Sequence, residues 1–420
     1  MAVVKSTITC DMEGRIETFN KGAQEVFGYA PEEVIGKKRV SLFSPGLIVL
    51  GHVQGWLKTA SETGEFRSRT VFVRRDGTPF AAEVRITPTF RDGKQIGYCG
   101  VTTPLPEVKP SEVMPKVSFA TRAFAWMVIT RAPFLTATLV PILAAAAWVF
   151  ARSEAFNWLF FWLALVGGVA MHVAANTFND YFDWTSGADK ANNEYFTPYS
   201  GGSRSLELGL ISERGLLAVS WGALIAACLA GLPVLLARGP MLLVFAAVGI
   251  FSVYFYTAPP LRLAGRKGLG ELIVGMNFGP LMTAGTVYAL TGQVGWGDFL
   301  IGLPIGLLTT AILWINQFPD MAADALSGKI NLVVILGKER ARWGYLALVA
   351  GAFAVVLASV LSGALPWGTL LAFAALPMAI SATRVLFRRY TERSLIQANS
   401  TTILLHLAVG VLMIAGLLVI

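Results

Sequence analysis

Cysteine is scarce in this chain. Cys10, Cys99 and Cys228 stand alone with no CxxC pair, which argues against a disulfide framework and against a thiolate metal site. His52, His172 and His406 are too scattered for a histidine-rich metal centre. Charge is thin as well: only 14% of the 420 residues are charged, against 55% hydrophobic. The amino terminus, MAVVKSTITCDMEG, lacks the apolar core of a signal peptide, so the first domain is expected to stay in the cytoplasm. A net charge of +8 would suit a nucleic-acid partner, but the basic residues gather in alternate loops between apolar runs. That pattern belongs to membrane orientation, and no nucleic-acid partner is expected.

What the chain does have is unevenly spread. Residues 1–105 read as an ordinary soluble domain of mixed charge, 106–123 as a linker opening on the proline-rich PLPEVKPSEVMPK stretch, and 124–420 as a membrane domain. A helix needs ~20 apolar residues to cross a bilayer. Nine such spans are expected, at 132–151, 157–181, 215–237, 240–257, 271–291, 298–318, 343–363, 366–386 and 400–420. The loops placed inside carry Lys190, Arg204, Arg262, Arg266, Lys267, Lys329, Lys338, Arg340, Arg342, Arg384, Arg388, Arg389 and Arg393. The loops placed outside carry little beyond Arg152 and Arg238, which sets the head inside and the C-terminus outside the inner membrane. The expected fold class is an all-α polytopic membrane protein with an N-terminal α+β head.

The head alternates like strands broken by turns at Asp11–Gly14, Asp76-Gly77 and Asp92-Gly93. Its order is strand, strand, helices, three strands. That order, with the stretches DMEGRIETFNKGAQEVFGYAPEEVIGK and RRDGTPFAAEVRITPTF, resembles a PAS sensor domain. The resemblance implies a domain that binds a small ligand, dimerises or passes a signal onward. His52 is the one histidine in the head that could ligate a haem, although a lone histidine is ordinarily a surface or core residue.

Two acidic clusters end the second and sixth spans: NTFNDYFDWTSGAD and NQFPDMAADALSGK. Asn176, Asn179 with Asp180, and Asp183 recur at helical spacing; Asn316, Asp320 and Asp324 step by four. Residues three and four apart share a helix face, so each cluster projects its acids together. Ser186-Gly187 and Ser327-Gly328 follow as helix stops. Pro319 is expected to kink or end the sixth helix. Carboxylates at helix C-termini, where the macrodipole is also negative, repel one another unless a cation joins them. Oxygen ligands without Cys or His select a hard cation, and Mg²⁺ bridges a few carboxylates to substrate phosphates. Arg204, Arg262, Arg266, Lys267 and Lys329 stand nearby to take phosphate charge. The pattern points to a diphosphate site. Lys338, Arg340, Arg384, Arg388 and Arg389 read as lipid-headgroup anchors.

Residues 120–420 resemble the UbiA superfamily of intramembrane aromatic prenyltransferases, through the N-x₃-D pattern at Asn179–Asp183 and again at Asn316–Asp320–Asp324. NDYFDWTSGADK, GGSRSLELGLIS, YFYTAPPLRLAGRKGLGELIVGMNFGPL and DALSGKINLVVILGKERA look most like the 1,4-dihydroxy-2-naphthoate polyprenyltransferases of menaquinone synthesis. Asp189 matches the last acid of the first motif, and Arg131 matches a first-span arginine that reaches phosphate in the family. Pro319, Asn331 and Ile335 depart from the family pattern. The resemblance implies that Asp183, Asp189, Asp320 and Asp324 hold Mg²⁺ and act in catalysis. Arg131, Asn179, Asp180, Arg204, Arg262, Arg266, Lys267, Asn316 and Lys329 would then hold the diphosphate.

It further implies an allylic cation attacked by an electron-rich ring, shielded by aromatic faces such as Tyr254, Tyr256 or Phe278. The partners are a polyprenyl diphosphate, an aromatic acceptor and the bilayer, with dimerisation through the head a further implication. Two alternatives stay open from the sequence. One is transfer to 4-hydroxybenzoate or another quinone, pigment or lipid precursor. The other, of a different class, is a PAS-linked membrane sensor or transporter.

Overall fold

Turn chemistry organises the head. The Asp11 carboxylate accepts hydrogen bonds from the backbone N–H groups of Glu13 and Arg15, each at 2.8 Å, and so folds strand β1 (Ser6–Asp11) back into β2 (Ile16–Phe19). Asp92 and Gly93 both take positive φ, at 50° and 76°, which joins β4 (Pro79–Arg91) to β5 (Lys94–Pro104) in a two-residue hairpin. With β3 (Phe66–Val73), the strands make one antiparallel sheet in the order β2-β1-β5-β4-β3. Asn20 caps the helix Lys21–Phe27 by accepting from the Ala23 N–H, and Gly28 ends it in the left-handed conformation. The core between sheet and helices is aromatic: Phe27 lies 4.3 Å from Phe43 by ring centroid and 5.8 Å from Phe72. Cys10 pairs with Tyr98 across β1 and β5, so the neighbouring Cys99 points to the opposite face, and both thiols are free.

The computed structural model describes residues 4–152, 156–192 and 199–419; the side chain of Lys190 and residue Ile420 of the last expected span lie outside the described residues. The described chain divides into two compact units. The first is Met1–Ile129 together with Arg204–Ser212; the second is Thr130–Ser203 with Glu213–Ile420. Within the first unit the segment Arg204–Ser212 packs on the head. Lys38 lies 3.7 Å from Glu207, and a Cβ on Gly46 would stand 2.2 Å from the Leu208 carbonyl oxygen. The stretch after β5 is not extended throughout, since Pro110–Val113 forms a helical turn.

The second unit is helical, and its spans identify a multi-pass membrane protein. Among the described residues eight helices are long and apolar enough to cross a membrane. They are Ala132–Phe150, Trp158–Thr185, Glu213–Arg238, Leu269–Thr291, Trp296–Leu326, Leu332–Leu361, Trp367–Arg389 and Arg393–Leu418. Met241–Phe255 is apolar but only 15 residues long, and it completes the expected set of nine. We number these nine membrane helices in chain order. The second and sixth, of 28 and 31 residues, exceed what ~30 Å of hydrocarbon requires, and the surplus turns carry the acids.

Pro319 does not end the sixth helix: Trp296–Leu326 is helical through it. Proline leaves the carbonyl four residues back without its helical donor. That carbonyl, of Ile315, instead accepts from the Asn399 side chain of the ninth helix at 3.3 Å. The fifth and sixth helices meet backbone to backbone: a Cβ on Gly306 would stand 2.2 Å from the Gly275 oxygen, and one on Gly302 2.4 Å from the Gly279 oxygen. Small residues at that spacing permit such an approach in membranes.

Candidate active site

The helix that carries each acidic cluster ends where its Ser-Gly pair stands. Ser186 and Ser327 cap the second and sixth helices, and Gly187 and Gly328 follow with φ of 85° and 75°. The chain can then turn back over each helix end, and it does so crosswise. Asn192, which follows the second helix, donates from Nδ2 to Asp320 of the sixth at 2.7 Å. Lys329, which follows the sixth helix, donates from Nζ to Asp183 of the second at 3.2 Å. The backbone N–H of Gly201 also donates to Asp320, at 3.0 Å. Each motif is held by the loop of the other, and the two clusters form one site.

That site closes the polar end of a cavity of about 830 Å³. Arg131, Asn179, Asp183, Asp189, Asn316, Asp320, Asp324 and Lys329 all line it. Asp180 does not. It is buried, accepts from the Ser203 N–H at 3.3 Å and lies 3.9 Å from the Arg131 guanidinium. Gly202 packs between the acids: a Cβ there would lie 3.0 Å from an Asp189 oxygen and 3.2 Å from an Asp180 oxygen. Its φ of 75° suits glycine on backbone grounds too. Burial alone would lower the pKa of Lys329, but the facing carboxylates of Asp183 and Asp324 outweigh it and hold the ammonium above the ordinary lysine range.

The other expected cations stand elsewhere. Arg262, Arg266 and Lys267 are exposed on the loop before the fifth helix and are not part of the cavity wall. Arg266 is turned onto its own loop, donating to the carbonyls of Leu261 at 2.7 Å and Pro260 at 3.2 Å. Arg204 is buried in the first unit and donates to Glu207 at 2.9 Å. Of the aromatic residues, Tyr256 and Phe278 line the cavity, whereas Tyr254 packs among Phe178, Phe182 and Trp221. In the head, His52 shares a hydrogen bond with the Lys116 carbonyl at 3.2 Å and stacks on Trp56.

Several residues that matter here carried no motif. Asn331 donates to Asp324 at 2.7 Å. Glu271 is buried at the start of the fifth helix, where it accepts from the Leu332 N–H at 2.9 Å and from Gln317 at 3.3 Å, tying the start of the seventh helix to the sixth. An acid inside an apolar segment was the available signal for Glu271. For Asn192 there was none, because its partner Asp320 is 128 residues away in the chain; Asn331 stands only seven residues from Asp324, but the turn after the sixth helix is what brings the two together.

The walls away from the acids are apolar, with Leu163, Leu232, Val244 and Leu281 among them. The cavity thus joins an end lined by charged side chains to apolar walls. Residues 138–416 match the model of the UbiA prenyltransferase family. The chain belongs to that family. Residues 4–102 match the PAS domain model. Among curated relatives of this UbiA member, the 2-carboxy-1,4-naphthoquinone phytyltransferase of a Synechocystis strain is 29% identical, the match covering 73% of this chain and 96% of that one. The 1,4-dihydroxy-2-naphthoate octaprenyltransferase of Mycobacterium tuberculosis is 32% identical over 61% of this chain and 84% of its own. Among solved structures, a UbiA homolog from Aeropyrum pernix shares the fold, with a TM-score of 0.51 at 18% identity over 68% of this chain and 97% of that one. The protein is a prenyltransferase with a PAS domain at its N-terminus.

Proposed function

We propose that this enzyme transfers a polyprenyl group from its diphosphate to 1,4-dihydroxy-2-naphthoate, a step in menaquinone synthesis, with Mg²⁺ as cofactor. The crosswise pairing of the two acidic motifs around one cavity carries this reading. Among the described residues no three acid, imidazole or thiol groups converge to enclose an ion by themselves. Magnesium needs no such cage, since it usually takes one or two carboxylates and completes its shell with phosphate and water. The donor set, oxygen only, fits an ion that arrives with the diphosphate, and Asp183, Asp189, Asp320 and Asp324 are the residues that would hold it.

When bound, the metal neutralises the diphosphate and makes it a better leaving group. The chain's own residues do the rest. Lys329 and Arg131 face the phosphate oxygens on which charge grows as the allylic C–O bond breaks. The apolar walls keep water from the cation, and the faces of Phe278 and Tyr256 flank it. The ring carbon that bears the carboxylate then bonds to the prenyl carbon, and carbon dioxide leaves. The site faces the cytoplasm across the inner membrane, and the PAS domain controls it. What supports control is the segment Arg204–Ser212, which is built into the first unit although it follows directly on the Gly201–Ser203 turn that holds Asp320 and Asp180.

Purified enzyme given prenyl diphosphate and Mg²⁺ is expected to prenylate 1,4-dihydroxy-2-naphthoate, and to stop when EDTA removes the metal. Asp183→Asn and Asp324→Asn are each expected to lower the rate by about 100-fold or more. Faster turnover of 4-hydroxybenzoate would reassign the acceptor. Wild-type rates in both variants would defeat the site itself.

A further inference from the structure

An apolar cavity built only for a prenyl chain needs no polar atoms in its walls, because a hydrocarbon offers them no partner and leaving them dry is costly. Among the residues that line this cavity, Arg131, Thr136, His172, Asn176 and Gln317 each carry a buried polar atom without a protein partner, and the last three stand on the second and sixth helices. His172 is buried, at 4% exposure, and lines it. Its Nδ1 shares a hydrogen bond of 2.8 Å with the Thr138 hydroxyl on the first membrane helix, while Nε2, on the other edge of the ring, has no protein partner. Phe278 meets the imidazole edge to face at 5.6 Å and fixes its tilt. Asn176, one turn nearer the acids, lines the cavity with Nδ2 unpartnered. On the sixth helix Gln317, 6% exposed, is oriented by the hydrogen bond that its Nε2 donates to Glu271, which leaves Oε1 without a partner.

Depth decides what these atoms are for. Asn176 and Gln317 stand one turn before Asn179 and Asp320, and His172 two turns before Asn179. At 1.5 Å per residue that is about 5 Å for the first two and about 10 Å for His172. This is the layer next to the diphosphate, where the bond-forming carbon and the acceptor ring must meet.

Resting on the prenyl-transfer reading above, we propose that His172, with Asn176 and Gln317, recognises the acceptor. Their free polar atoms take the hydroxyl and carboxylate oxygens of a hydroxylated aromatic acid and so choose the acceptor, while the prenyl diphosphate is held by the acids and Lys329.

The test uses the full-length enzyme in lipid nanodiscs, with His172→Phe, His172→Gln and Asn176→Leu. His172→Phe is expected to raise the KM for dihydroxynaphthoate about tenfold, the worth of one hydrogen bond, and to leave the KM for prenyl diphosphate within about twofold. His172→Gln, which keeps a polar edge, should recover most of the loss; Asn176→Leu should shift the same KM alone. An unchanged acceptor KM in His172→Phe, or a parallel rise in both KM values, would overturn the assignment. Wild-type enzyme with no aromatic-dependent release of diphosphate would instead sink the prenyl-transfer reading. Quenching of tryptophan fluorescence by dihydroxynaphthoate then still decides: equal affinity in wild type and His172→Phe, or no binding by either, rejects the subsite.

Discussion

Gly202 shows how finely the acid end is set. A methyl group there would press on Asp189 and Asp180 and would also strain a backbone at φ 75°. Gly202→Ala is therefore expected to cut prenyl transfer by about tenfold or more while the protein stays folded, since small displacements of positioning groups cost rate before stability. Activity and the melting temperature, measured on the same preparation, check this. In the head, burial pushes the Cys10 thiol up from 9.0 to about 12. Only the thiolate is nucleophilic, so raising the pH to 9 leaves Cys10 protonated where an ordinary cysteine is half ionised. Iodoacetamide at pH 8 should leave Cys10 unmodified in the native protein and modify it in urea. Modification at equal rates in both would show an open head. A thiol sensor at this position is disfavoured on the same ground.

The sixth helix shows where reading by element succeeds and where it fails. Its apolar length, its N-x₃-D acids and its Ser-Gly stop were all legible, because each is a local property of one segment. Its continuity through Pro319 was not, because the compensating donor, Asn399, comes from the ninth helix. Asn399→Leu is expected to destabilise the protein by about 1–3 kcal/mol, the cost of an unpaired buried carbonyl. Pro319→Ala restores a helical donor to Ile315, so the same substitution should cost less in that background. A double-mutant cycle read by melting temperature measures the difference; equal costs in both backgrounds would remove the explanation.

At the scale of the molecule, the notable feature is a loop of the membrane region that packs with the soluble head. Gly46 makes room for the Leu208 carbonyl, and any side chain there would push the segment Arg204–Ser212 away. Gly46→Val should expose that segment to trypsin and, if the head controls the site through it, change kcat by about fivefold. Cleavage with unaltered kinetics would mean that the head does not act by this route.

The sequence by itself determined the membrane class, an approximate number of helices, the succession of strands and helices along the head, and the two acidic clusters. These follow from apolar length, from period and from turn chemistry, all of which are written in neighbouring residues. Only the tertiary structure decided which cations meet the acids. Lys329 crosses to Asp183 while Arg266 turns back onto its own loop, although by sequence the two are alike. The same holds for His172, which as a letter is one scattered histidine. Its free edge exists because Thr138 and Phe278, on two other helices, fix the rest of the ring. Charge and period are carried along the chain, whereas the partner of a buried polar atom is chosen by packing.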